Sequence, residues 1–300
     1  MLDENVVRRL ALVKYLYRTG VEQSKLPEPI CAFSILTFHD AIELFLILAS
    51  EFHDTGARRN IHLMDYWEKL SRKNINLTLK ESIRRLKEAR NSLKHDGILP
   101  SKLEIEAFRA TATNFFEENT PIVFGINFSD ISLTALVANN EAREYLKRAE
   151  KFLNEGEKIK AIKNIYAAYY IIAKDIERRY LARFMSEIWF SYHDYSDEVI
   201  SKYSDLIQDI NDNLNKIVDL VEELKEILKI VILGVNYLKY TKFKKITRYM
   251  TFDLETTEVR CHGSLFGENP LEDISEEDIR FCFDFVIDFA LTTQKIFENI

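Results

Sequence analysis

Apolar residues recur every three or four positions through most of this chain, and that period predicts helices rather than strands. Over Leu2–Thr19 the stripe is Val6, Val7, Leu10, Val13, Leu16 and Tyr17, with Gly20 as its stop. Pro27 and Pro29 open a second helix from Ile30 to about His53, ended near Gly56. That helix is apolar almost all round, so it is expected at the centre of a bundle. Ile61–Lys69 fits a short helix. Thr78 followed by Glu81 reads as a capping box, and the helix it starts carries Leu79, Ile83, Leu86 and Leu93 on one side. Gly97 and Pro100 close it. Ser101–Asn119 fits one more helix. Residues 1–119 therefore predict a helical bundle with short connections.

Between Thr120 and Leu136 the period fails. Pro121, Gly125, Asn127 and Asp130 interrupt it, and Ile122–Phe124 reads as a short extended piece. We expect 120–136 to be a linker and 137–300 a second, C-terminal helical domain. Glu141–Asn154, Gly156 and Lys158–Tyr180 predict a helical hairpin. Asp205–Ile232 predicts a long helix with Ile207, Ile210, Leu214, Ile217, Leu220, Leu224 and Leu228, read as a packed helix in preference to a coiled coil. Phe252–Pro270 reads as loop or small hairpin. Ser275–Asn299 is a final helix, with Glu276, Glu277 and Asp278 suited to its N-terminus. The expected fold class is all-α.

Composition agrees. With 8 Gly and 5 Pro in 300 residues, the composition argues against an all-β fold rich in tight turns, and 47% hydrophobic residues suffice for a core. No uninterrupted apolar run approaches the roughly 20 residues of a membrane span. Asp3 and Glu4 replace the basic region of a signal peptide. Cys31, Cys261 and Cys282 lack ligand spacing and read as reduced thiols, so a cytoplasmic location is expected. A net charge of −7 argues against a nucleic-acid partner until its distribution is considered. Ser71–Lys102 holds nine Lys or Arg against Glu81, Glu88 and Asp96. Lys239, Lys242, Lys244, Lys245 and Arg248 form a second basic stretch, whereas Asp253–Asp288 is acidic.

The chemistry-bearing segment is Arg90-Asn91-Ser92-Leu93-Lys94-His95-Asp96-Gly97. Arg90 falls seven residues after Ile83 and four after Leu86, so it borders the apolar stripe and needs an acceptor. An unbroken helix would rotate His95 about 140° away from it. Gly97 releases that constraint, and the two side chains are then free to converge on one anion. RNA carries its own nucleophile, the 2′-hydroxyl. An imidazole can move its proton or protonate the leaving 5′-oxygen, while a guanidinium holds the phosphate and stabilises developing charge. Asn91 and Lys94 add donors. This chemistry requires no metal or other cofactor, and it ends in a 2′,3′-cyclic phosphate.

On Arg90, Asn91 and His95, residues 1–119 resemble a HEPN domain, a four- or five-helix bundle with Arg, four to six residues, then His. The resemblance implies a metal-independent RNA endonuclease of toxin–antitoxin or phage-defence systems. It further implies a homodimer with the two motifs facing each other; because a free RNase harms its host, such an activity is expected to be restrained by a regulatory protein partner or a ligand. Residues 141–180 bear a fainter likeness to a HEPN helical pair or a tetratricopeptide hairpin, with no Arg-to-His motif following.

His39, Asp40 and Glu43 share the second helix. His39 and Glu43 are i,i+4 neighbours able to ligate a metal, but no second cluster completes a site, so no metal is assigned. Glu43 or Asp40, with Glu43 preferred, is read instead as the acid that pairs with Arg90 and orients it, the alternative being a polar group satisfied inside the bundle. Trp189, Phe190, Tyr192 and Tyr195 are read as core in preference to a base-stacking platform. No phosphate-binding Gly-Lys-Ser loop, G-x-G-x-x-G or G-x-S-x-G is present. The competing class is a helical interaction or scaffold protein in which Arg90 serves as a structural ion pair.

Overall fold

A computed structural model describes residues 2–56, 61–178, 216–217, 220–221, 223–224, 226–253, 256–261 and 274–298. The described residues are mostly helical, with one two-stranded hairpin, as an all-α chain requires. They divide into two compact units, Met1–Leu136 and Val137–Ile300.

The first unit is built around its most apolar helix. α1 spans Glu4–Ser24, capped by the Asp3 carboxylate, which accepts from the Asn5 N–H. A 3₁₀ turn, Ile30–Phe33, leads into α2, Ser34–Phe52. α3 is Asp65–Ser71, α4 is Lys80–Asn91 and α5 is Lys102–Phe124. Phe38, Ala41, Ile42, Phe45, Leu46 and Ala49 of α2 are fully buried against these neighbours. Phe45 meets the rings of Phe115, Phe116 and Phe124 edge-on at 5.4, 5.7 and 5.5 Å. The stretch Ile30–Phe52 is long and apolar enough to cross a membrane, with a mean hydropathy of 1.8, although no uninterrupted run in the sequence announced it. In this fold α1, α4 and α5 cover its apolar side chains.

Three local expectations need correction. Gly20 does not end α1, which continues to Ser24. Its role is close approach: a Cβ at Gly20 would lie 2.7 Å from Phe38 Cδ1 and Cε1. Gly20→Ala gains about 1 kcal/mol of helix propensity but forces a ring with no room to move. We expect a net loss of roughly 1–2 kcal/mol in urea unfolding. A stabilised variant would show that the two helices slide apart at no cost.

The capping box lies elsewhere. Thr78 does not cap α4; the residue before the helix is Leu79, in the left-handed region at φ 61°. Glu81 pairs with Arg84 instead. Thr78 is held by buried Asn119, whose Oδ1 accepts from the Thr78 N–H at 2.9 Å and whose Nδ2 donates to Thr78 Oγ1 and the Phe115 carbonyl at 3.1 and 2.8 Å. The reciprocal box forms one helix later, between Ser101 and Glu104.

Residues 120–136, expected as a linker, belong to the first unit. α5 runs through Pro121 to Phe124 and ends at Gly125 in the left-handed region. Pro121 lies on the exposed side of the helix, where the carbonyl it cannot bond is open to solvent, while Val123 and Phe124 bury. Phe128 then stacks on Phe116 at 4.8 Å, and Lys14 Nζ donates to the Ser129 and Ile131 carbonyls at 2.7 and 2.6 Å. A 3₁₀ turn, Leu133–Leu136, packs on α1.

In the second unit, α6 (Asn140–Asn154) and α7 (Lys158–Ile176) form the hairpin the sequence predicts, turning at Gly156 with φ 75°. Residues 226–232 are helical, as are the described positions between 216 and 224; the remainder of the expected Asp205–Ile232 helix and the aromatic cluster Trp189–Tyr195 lie outside the described residues. Lys229 pairs with Glu177, and buried Ile230 and Leu233 turn inward. Ile217, Val221, Leu224, Leu228 and Val231 are exposed. α8 is Tyr237–Thr247. β1 (Met250–Asp253) and β2 (Glu258–Cys261) pair antiparallel, Met250 opposite Cys261 and Asp253 opposite Glu258, and Phe252 stacks on Tyr170 of α7 at 4.9 Å. α9, Glu276–Glu298, completes the unit.

All three cysteines are free. Burial pushes the Cys282 thiol up to about 12, with Asp278 adding to the effect. Burial also raises half-buried Cys261. Thiolate is the reactive form. At pH 8 the native protein should therefore react with a thiol reagent slowly and at Cys261 alone, and at three positions once denatured. Fast reaction of a second native thiol would contradict this packing.

Candidate functional site

α4 places the arginine. Ile83 and Leu86 are fully buried, so Arg90, one turn beyond Leu86, is carried to the edge of the core and is half-buried. Its Nη1 donates to Asn91 Oδ1 at 3.1 Å, and its Nε is buried with no hydrogen-bond partner. An unpartnered buried N–H on a cation costs more than one on a neutral group. The guanidinium therefore keeps donor capacity that no described residue uses.

The helix does not simply stop after Arg90. Ser92–Asp96 widens into a π-helical turn, closed by Gly97 at φ 69° and by the Ile98 N–H donating to the Ser92 carbonyl at 3.2 Å. A turn with i→i+5 bonds takes more residues to complete than an α-turn. Position 95 is thereby brought nearer to the azimuth of position 90 than the α-helical rotation allows. Leu93 anchors the turn in the core. Lys94 and His95 are exposed, and neither makes a hydrogen bond or ion pair among the described residues. Half-buried Asn91 orients toward the guanidinium.

The basic character of this face is only partly neutralised. Arg84 pairs with Glu81, and Lys87, one turn before Arg90, donates to the imidazole of exposed His62. The His62–Lys87 contact joins the segment before α3 to α4. It was not legible in sequence, because the two residues are 25 positions apart and neither has a motif. His53, by contrast, has a structural role: its Nε2 donates to the Val123 carbonyl at 2.9 Å.

Glu43 is placed differently from its expected role. No ion pair joins it to Arg90 among the described residues. Its Oε2 lies 3.9 Å from Nδ1 of buried His39, one turn earlier on the same helix, and Asp40 Oδ1 lies 3.5 Å from that nitrogen. Helical spacing explains this: an i,i+4 neighbour is always within reach, whereas an acid on α2 meets α4 only if the register allows. Tyr66 of α3 is buried near Glu43 and Glu51, and burial first, then these two carboxylates, hold its phenol above the ordinary range.

Comparison with protein families, with curated proteins and with solved structures yields no match to this chain.

Proposed function

We propose that the first unit is a metal-independent RNA endonuclease of the HEPN type, with Arg90 and His95 as its catalytic pair. The observation that carries this proposal is the guanidinium of Arg90, held half-buried at a helix end with an unpartnered buried Nε. A buried cation with spare donors fits a phosphate, to which guanidinium binds through two parallel N–H bonds. Unpartnered Lys94 and His95 on the same wide turn supply the other two needs, a second cation for the phosphate and a proton carrier. Asn91 steers the guanidinium. In the reaction, the imidazole of His95 takes the 2′-hydroxyl proton or delivers one to the departing 5′-oxygen. The 2′-oxygen attacks the adjacent phosphorus, the P–O5′ bond breaks, and a 2′,3′-cyclic phosphate and a 5′-hydroxyl result. DNA lacks the nucleophile and is spared. Two copies of the chain would bring two such motifs together, and a regulatory partner would restrain them, as toxin–antitoxin and phage-defence nucleases require.

The test is incubation of the purified protein with end-labelled RNA in EDTA. Fragments ending in a 2′,3′-cyclic phosphate are expected. RNA left intact at micromolar protein, or cleavage equally efficient on a 2′-deoxy substrate, would overturn the assignment. The exposed apolar positions Ile217, Val221, Leu224, Leu228 and Val231 of the second unit favour a second reading, in which that unit is an interaction module. The two readings are compatible, since they concern different units.

A further inference from the structure

We infer that α2 carries a binding site for a divalent first-row cation, formed by His39 Nδ1, Asp40 Oδ1 and Glu43 Oε2. The inference is independent of the nuclease reading. On sequence alone His39 and Glu43 supplied two ligands at i,i+4, and no second cluster completed a site. In the fold the three ligand atoms lie within 4.8 Å of one another. Nδ1 stands 3.5 Å from Asp40 Oδ1 and 3.9 Å from Glu43 Oε2. Bonds of about 2.1 Å set the ligand atoms of one cation roughly 3–3.5 Å apart, so small side-chain rotations close the set.

The second observation is the histidine itself. His39 is 5% exposed, and its Nδ1 is buried without a hydrogen-bond partner. It is this unpartnered atom, not the opposite ring nitrogen, that faces both carboxylates. A buried imidazole nitrogen needs an acceptor, a donor or a metal, and one facing two carboxylates is matched by a cation or by its own proton. Asp40 and Glu43 keep much of their side chains in water, at 59% and 45% exposure, so a cation can enter from solvent and retain water in its remaining positions. One imidazole with two carboxylates suits Zn(II) or Mn(II).

The full-length protein, stripped with chelator and dialysed, would be titrated with Mn(II) and free Mn(II) read by electron paramagnetic resonance. One ion per chain is expected, with nitrogen hyperfine coupling from the imidazole in the pulsed spectrum and displacement by Zn(II). His39 is buried, so its replacement risks the fold. The double variant Asp40→Asn, Glu43→Gln changes only half-exposed groups and should keep its circular dichroism spectrum while losing at least about tenfold in affinity. Absence of binding would assign Nδ1 to a proton and end the proposal. Undiminished affinity in the double variant, or a spectrum without nitrogen coupling, would end it as well. Cleavage of RNA in EDTA tests the nuclease alone and is unaffected by either outcome.

Discussion

His95→Ala is expected to lower the rate of RNA cleavage in EDTA by about 10²–10⁴-fold while leaving the fold and RNA affinity nearly unchanged. The imidazole is exposed and makes no contact that packing depends on, so its removal takes away proton transfer and little else. Arg90→Ala should also abolish cleavage, with an added loss in affinity, because the guanidinium would contact phosphate in both the bound and the transition state. Arg90→Lys separates charge from geometry. A point charge cannot make two parallel bonds, so the lysine variant should recover binding more than rate. Single-turnover rates and filter-binding affinities on one RNA would measure both effects. Equal rates in wild type and His95→Ala would remove His95 from the mechanism.

Asn119→Ala is expected to cost about 2–4 kcal/mol in chemical denaturation. Asn119 is fully buried and makes three hydrogen bonds, two of them to Thr78 on the approach to α4. Truncation leaves the Thr78 N–H without its acceptor and Thr78 Oγ1 without its donor, and opens a small cavity. Because Leu79 holds a left-handed conformation next to that clamp, the first turn of α4 should also loosen, which amide exchange of Ile83 and its neighbours would report. A change below about 0.5 kcal/mol would mean that water replaces the amide, against its full burial.

Much of the bundle was legible because burial follows period. The stripe of α1, the all-round apolar character of α2 and the α6–α7 hairpin follow from residue order alone. The errors have one cause. Gly20, Thr78 and Pro121 are punctuation signals, and each was overruled by a contact from far along the chain: Phe38 against Gly20, Asn119 on Thr78, and Phe45 and Phe52 against Phe124 beyond Pro121. A local cap or break is worth about 1–3 kcal/mol. Buried aromatic packing on the same segment is worth as much or more.

For the site, the sequence determined the residue types and their order: a guanidinium, an amide, an ammonium and an imidazole within six positions, after an apolar stripe that fixes where the arginine falls. Tertiary structure decided the rest. It widened the last turn before Gly97, left Arg90 Nε buried without a partner, and gave Glu43 to His39 in place of Arg90. The physical reason is that periodicity records which face a residue occupies, whereas hydrogen bonds and ion pairs depend on the register between helices, set by packing distant side chains.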